Sequence, residues 1–179
     1  MNNQKLLQAK NNDFLRVFIA SAFGFGLSPI APGTCGALIG VAGHIMIVQL
    51  LPADIQMLVL ALFFLSICVI HYILTPWAID YWHSKDPKHF VLDEVAGYLV
   101  IPIFFRHGTL LQVVCWGFFF FRLFDIIKLP IARYIDRNMR GASAILFDDI
   151  VSAGYAVLML YLLKYIGEQF AVERYLILI

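Results

Sequence analysis

Five carboxylates dominate the chemistry open to this chain: Asp93-Glu94, Asp125 and Asp148-Asp149. Acids set among long apolar runs repel one another strongly unless a cation joins them. Hard oxygen ligands select Mg²⁺, which takes one or two carboxylates and completes its shell with waters and phosphate oxygens. A helix dipole is the plainer account of the two pairs, since an acid in a first turn gains about 0.3–1 kcal/mol there. Asp125 has neighbours of its own. Arg122 and Lys128 lie three residues to either side, so the three groups cover an arc of about 120° on a helix. They form either an ion triplet that neutralises itself near the headgroups, or a metal ligand flanked by two phosphate-binding cations.

A second candidate for anion binding comes earlier. Residues 24–36 read Gly-Phe-Gly-Leu-Ser-Pro-Ile-Ala-Pro-Gly-Thr-Cys-Gly. Such a stretch forces a loop and then a helix start, whose unpaired N–H groups suit a phosphate. Ser28, Gly33 and Thr34 are the candidate contacts. A simple helix break followed by close Gly/Ala packing between spans fits the same residues. Arg133, Arg137 and Arg140 share one helix face opposite Ile131, Tyr134 and Ile135, as membrane anchors or as recruiters of an anionic lipid. His44 and His71 fall in apolar runs, where neighbouring helices are expected to satisfy them. Cys35, Cys68 and Cys115 show no CxxC spacing and read as small buried hydrophobes.

The elements that must position these groups are membrane spans. Of the 179 residues, 61% are hydrophobic and 14% charged, against roughly 45–50% and 25% in soluble domains, and the mean hydropathy is +0.82. These values exclude a disordered chain, a coiled coil and an ordinary soluble enzyme. A net charge of +1 leaves no basic face for nucleic acid. A span takes about 20 apolar residues. Met57–Ile79 carries no charge and is the clearest; Thr34–Leu51 and Ile150–Leu163 follow. Val91–Phe105 is short, and Leu110–Pro130 contains Arg122, Asp125 and Lys128. The first 27 residues read as a retained interfacial helix with Phe14, Val17, Phe18 and Ala22 on its apolar side. The expected fold class is therefore all-α: a polytopic membrane helical bundle of about four to five embedded helices plus that N-terminal helix, with residues 1–179 as one domain.

Loop charges orient the bundle. With five crossings and a cytoplasmic N-terminus, Lys5, Lys10, Arg16, Lys85, Lys88, Arg133, Arg137 and Arg140 are cytoplasmic, while Arg106, Lys164 and Arg174 lie opposite. Eight against three is a clear bias. The same orientation brings all five acids to the cytoplasmic side, which the helix dipole leaves unexplained.

In order and spacing these motifs resemble the phosphatidylglycerophosphatase A family. The matching stretches are Ser28-Pro29-Ile30-Ala31-Pro32-Gly33-Thr34, then Asp86-Pro87 followed by Val91-Leu92-Asp93-Glu94-Val95-Ala96-Gly97. They continue with Phe121-Arg122-Leu123-Phe124-Asp125-Ile126-Ile127-Lys128 and Phe147-Asp148-Asp149-Ile150-Val151-Ser152-Ala153-Gly154. Two departures stand out: Lys128 is followed by Leu129-Pro130-Ile131, and the glycine-rich turn before the paired Asp is reduced to Gly141-Ala142-Ser143-Ala144. The resemblance implies Mg²⁺-dependent removal of the terminal phosphate from phosphatidylglycerophosphate, an anionic phospholipid, giving phosphatidylglycerol at the bacterial inner membrane. It also implies an all-α fold. Under that reading Asp93, Glu94, Asp125 and Asp149 are the metal ligands, and Arg122 and Lys128 hold the phosphate. Asp148 is a further ligand or the base that activates water.

Two other classes compete. A transporter or ion-coupled carrier also places charges in spans, but distributes them through the bilayer depth. A structural subunit explains the apolar bulk and not the clustered acids. The orientation is open to direct test. In a background lacking Cys35, Cys68 and Cys115, a cysteine replacing Ser84 or Ser143 is expected to resist an impermeant thiol reagent on intact spheroplasts and to react once the membrane is opened. One replacing Thr109 is expected to do the reverse; labelling of positions 84 and 143 from outside would invert the topology.

Overall fold

The computed structural model describes residues 13–170; Lys5, Lys10 and Arg174, which enter the charge count, lie outside the described residues. Helix α1 covers residues 13–20, followed by a 3₁₀ turn at Phe25–Leu27 and by α2 (Pro32–Leu50), α3 (Ala53–Trp82), α4 (Leu92–Phe104), α5 (Leu110–Ile127), α6 (Pro130–Asn138) and α7 (Ala142–Phe170). The described residues contain no strand. Four helices are long and apolar enough to cross a membrane: Pro32–Leu50, Ala53–Trp82, Leu110–Ile127 and Ala142–Gln169.

The short helix is the one that organises the rest. At about 1.5 Å per residue, the 13 residues of α4 rise only about 20 Å, too little to cross a hydrocarbon core of about 30 Å. Ten of them, from Leu92 and Asp93 to Pro102, are buried, because α2, α3, α5 and α7 all pack on α4. Protein, not lipid, surrounds it, so most of its backbone is shielded from hydrocarbon. Close approach of α2 depends on Gly36 and Gly40, where an added Cβ would lie 2.6 Å from Val91 Cβ and 2.9 Å from the Val95 carbonyl oxygen. The close-packing reading of the Gly/Ala run is thus realised along α2. His44 Nδ1 lies 3.0 Å from the Tyr98 hydroxyl, and His71 Nε2 lies 3.0 Å from the Ala142 carbonyl oxygen, so both intramembrane histidines find partners on other helices.

Three expectations need correction. Ala22 is buried in the core rather than on an apolar outer face, while Phe14, Phe18 and Phe23 are exposed; the chain reverses at Ala22-Phe23-Gly24, all with positive φ, and folds Ala22 under. Cys115 is exposed and Cys35 and Cys68 only partly buried, since each falls on the outward side of its helix. Asp148 and Asp149 do not open the last span. Helix α7 begins at Ala142 and has no acid in its first turn, so the dipole at its start does not account for them.

The glycine contacts predict opposite responses to one chemical change. Gly40→Ala is expected to lower the thermal midpoint of the detergent-solubilised protein, with about 1–3 kcal/mol lost to overpacking. Gly154→Ala, where a Cβ meets nothing within 4 Å, is expected to leave it unchanged or raise it through helix propensity. Equal responses would mean that α2 does not need its close approach to α4.

Candidate active site

The starts of α2, α4 and α7 and the ends of α3 and α5 meet at one end of the bundle, around a cavity of about 800 Å³. Asp93 and Glu94 occupy the first turn of α4. Asp148 and Asp149 come from the second turn of α7, one helix away. These acids form two sets. Ligand atoms of Asp93, Glu94 and Asp149 lie within 4.8 Å of one another, as do those of Asp125, Asp148 and Asp149. Gly97 lets α7 close on α4: a Cβ there would sit 3.1 Å from Asp149 Cβ.

The two cations divide their attention. Arg122 Nη1 lies 2.7 Å from Asp125 Oδ2 within α5. Lys128 does not complete an ion triplet on that helix. It takes a left-handed conformation with φ of 51° and ends α5; its ammonium then pairs with Asp148 of α7 and, at 3.1 Å, with Asp136 of α6. Burial pushes the Lys128 pKa down, but the hydrogen bonds and charges of Asp148 and Asp136 outweigh it, and the net shift is upward. Lys128 is held as a cation.

The loop before α2 supplies a third wall. Ala31, Pro32, Gly33 and Thr34 line the cavity, and no side chain caps α2, so its first N–H groups open toward the acids. A Cβ on Gly33 would overlap Glu94 Oε1 and come within 3.0 Å of Arg122 Nη2. Ser28 is not brought to the cavity. Its hydroxyl donates to the Ile30 carbonyl oxygen at 2.9 Å and accepts from the Ile30 N–H at 3.3 Å, closing a local turn.

Toward the opening, the walls include Lys85, Lys88, Arg137 and Arg140. Arg137 and Arg140 thus face the cavity, whereas Arg133 turns away to the Ile127 carbonyl oxygen at 3.1 Å. Asp86 and Asp136 also line it. Asp86 stands in a quoted motif, but Asp136 has no local signal: only the break at Lys128-Leu129-Pro130 turns α6 back across Lys128.

Four carboxylate oxygens in this cluster are buried and have no hydrogen-bond partner: Asp93 Oδ1, Glu94 Oε2, Asp148 Oδ1 and Asp149 Oδ2. Leaving charged acceptors unpaired costs several kcal/mol, and a divalent cation ligated by oxygen is one group that would remove that cost. The donor set fits Mg²⁺ better than Zn²⁺, since no His or Cys belongs to either set. Chemically, the arrangement can seat a phosphate between buried acids that take a metal and cations that take its oxygens.

The family model described as phosphatidylglycerophosphatase A matches residues 18–164. A phosphatidylglycerophosphatase A from Escherichia coli is 34% identical over 143 residues, covering 80% of this chain and 80% of its own. One from Haemophilus influenzae is 31% identical over 147 residues, covering 82% and 87%. A Bacteroides thetaiotaomicron protein provisionally named a phosphatidylinositol-3-phosphatase is 29% identical over 164 residues, covering 88% and 98%. No solved structure matches the chain. A match across both acid pairs, the Arg122–Lys128 segment and the loop before α2 places the chain in the phosphatidylglycerophosphatase A family, as a lipid phosphatase.

Proposed function

We propose that this chain hydrolyses phosphatidylglycerophosphate to phosphatidylglycerol and phosphate, with Mg²⁺ as cofactor, at the cytoplasmic face of a bacterial inner membrane. The observation that carries the reading is the double tier of cations in one cavity. Arg122 and Lys128 sit among the buried acids, and Lys85, Lys88, Arg137 and Arg140 lie outside them. A lipid with a terminal phosphomonoester and a bridging phosphodiester matches both tiers. A lipid with one phosphate leaves the outer tier idle. Phosphatidylinositol 3-phosphate also carries two phosphates, and the family match with the two relatives named for phosphatidylglycerophosphate supports the preference for the latter.

The residues divide the work. Arg122 and Lys128 bind the terminal phosphate and stabilise the charge that develops on its oxygens. Asp125 orients Arg122, and Asp148 with Asp136 orients Lys128, so neither cation has to reorganise during reaction. The N–H groups at Gly33 and Thr34 add donors beside Arg122. Asp93, Glu94, Asp125 and Asp149 are the acids that would hold Mg²⁺, which would supply charge neutralisation at the phosphoryl group and a nucleophile at neutral pH. The outer cations hold the diester and keep the glycerol between the two tiers.

Phosphate release from short-chain phosphatidylglycerophosphate, phosphatidylinositol 3-phosphate and phosphatidic acid in detergent tests this directly. The first is expected to turn over fastest, with activity lost to a chelator and restored by Mg²⁺. Faster release from phosphatidylinositol 3-phosphate would transfer the reading to that lipid, and chelator-resistant turnover would remove the metal. Asp125→Asn and Asp149→Asn are each expected to lower turnover by about 100-fold or more. Gly33→Ala, which displaces Glu94, is expected to lower it as well while the thermal midpoint holds. Arg137→Gln with Arg140→Gln is expected to raise KM for phosphatidylglycerophosphate at unchanged kcat even in short-chain form; anchors alone would matter only for substrate in bilayers.

A further inference from the structure

We propose that the acid cluster is a two-cation centre in which Asp149 is shared between the ions, one held with Asp93 and Glu94, the other with Asp125 and Asp148. The unpartnered oxygens are spread over both sets: Asp93 Oδ1 and Glu94 Oε2 in the first, Asp148 Oδ1 in the second, and Asp149 Oδ2 common to them. Asp93, Asp148 and Asp149 are 7%, 6% and 4% exposed, so little of each carboxylate faces bulk water. One Mg²⁺ ordinarily takes one or two carboxylates, and Asp93 with Glu94 belongs to one ligand-sized set while Asp125 with Asp148 belongs to the other.

Charge points the same way, and this step rests on the phosphatase reading. Six carboxylates, Asp136 included, face two cations, Arg122 and Lys128, which pair with the second set and with Asp136. The excess is four negative charges. A single divalent ion leaves the centre negative, and a phosphomonoester dianion would still be repelled on entry. Two ions bring it to neutrality. The protein cations do not saturate the second set, since Lys128 pairs with Asp148 Oδ2 and leaves Oδ1 without a partner. A pair of ions also suits displacement at phosphorus, where attacking and leaving oxygens both carry charge.

Mn²⁺ is a suitable probe, because it accepts the same oxygen ligands as Mg²⁺. Chelator-stripped, detergent-solubilised full-length protein would be titrated with Mn²⁺, with free ion counted by electron paramagnetic resonance. The expected result is two equivalents bound, with the bound signal broadened by coupling between neighbouring ions. Asp93→Asn and Asp148→Asn are each expected to bind one equivalent and to restore the spectrum of an isolated ion. Circular dichroism would establish that each variant keeps its helices, and the stoichiometry of the unaltered protein decides the matter even if a variant does not fold. One equivalent, two uncoupled equivalents, or two coupled equivalents retained by folded Asp93→Asn would each overturn the proposal. The readout is independent of turnover. One ion with Mg²⁺-dependent hydrolysis removes the pair and keeps the function, whereas two ions without phosphate release from phosphatidylglycerophosphate does the opposite.

Discussion

Negative charge buried at the end of an apolar bundle is the constraint to which the rest of this structure answers. Removing a carboxylate from water costs several kcal/mol unless partners replace the solvent, and here four buried oxygens have none from the protein. The fold holds them together regardless, which requires helix packing strong enough to resist their repulsion. Helix α4 meets that requirement by being short and enclosed. Its apolar residues, from Val95 to Ile101, bury against four neighbours, while its first turn presents Asp93 and Glu94 to the cavity. The small residues of α2 and Gly97 of α4 serve the same end, since each lets a neighbouring helix approach closely enough for acids on different elements to share a ligand-sized space.

Convergence of helix ends, rather than any single motif, builds the site. A phosphate entering the cavity would meet the backbone donors at the start of α2 beside the side-chain cations, with the acids next to both. The same end of the molecule carries exposed apolar groups. Ile126 lines the cavity and is 71% exposed, and Ile131 and Tyr134 on α6 are 57% and 65% exposed. Apolar side chains beside a charged cavity suit the boundary between headgroups and acyl chains. Lys128 joins these two worlds. By leaving α5 in a left-handed conformation it both starts the turn into α6 and receives Asp136 from that helix, so the segment at the interface is tied to the cation in the site.

Much of this was legible before any coordinates. Apolar runs of hydrocarbon length located α2, α3 and α5 within a few residues, because burial in lipid demands composition and length together. The acids and cations were also identifiable, since charge in such runs is costly enough to require a reason. Partnerships were not legible. The i, i+3 rule correctly paired Arg122 with Asp125 but assigned Lys128 to the same arc; its actual partners, Asp148 and Asp136, depend on a turn and on tertiary packing. Asp148 and Asp149 were read as helix-opening acids because the apolar stretch begins at Ile150, whereas α7 starts at Ala142 on residues too mixed to reveal it. Ser28 and Arg137 exchanged significance for a similar reason. Which way a loop or an exposed face turns is set by what packs behind it.

The far half of the bundle explains why charge in spans serves a phosphatase here and not a carrier. A carrier needs polar groups along a path from one side to the other. Beyond the acids, the space between α4, α5 and α7 is filled by Tyr98, Ile101, Phe105, Val113, Phe120, Phe121 and Leu160, each no more than 9% exposed. That packing supports the acids from below and closes the route across. A lipid substrate needs no such route. Its tails stay in the leaflet and only the headgroup must leave the interface, so a cavity open at one end and floored by carboxylates reaches the phosphate. Asp93 and Glu94 stand in the first turn of α4, so their depth is set by where that helix starts, and its length serves the contacts with α2 and α7 that hold Asp93, Glu94 and Asp149 together.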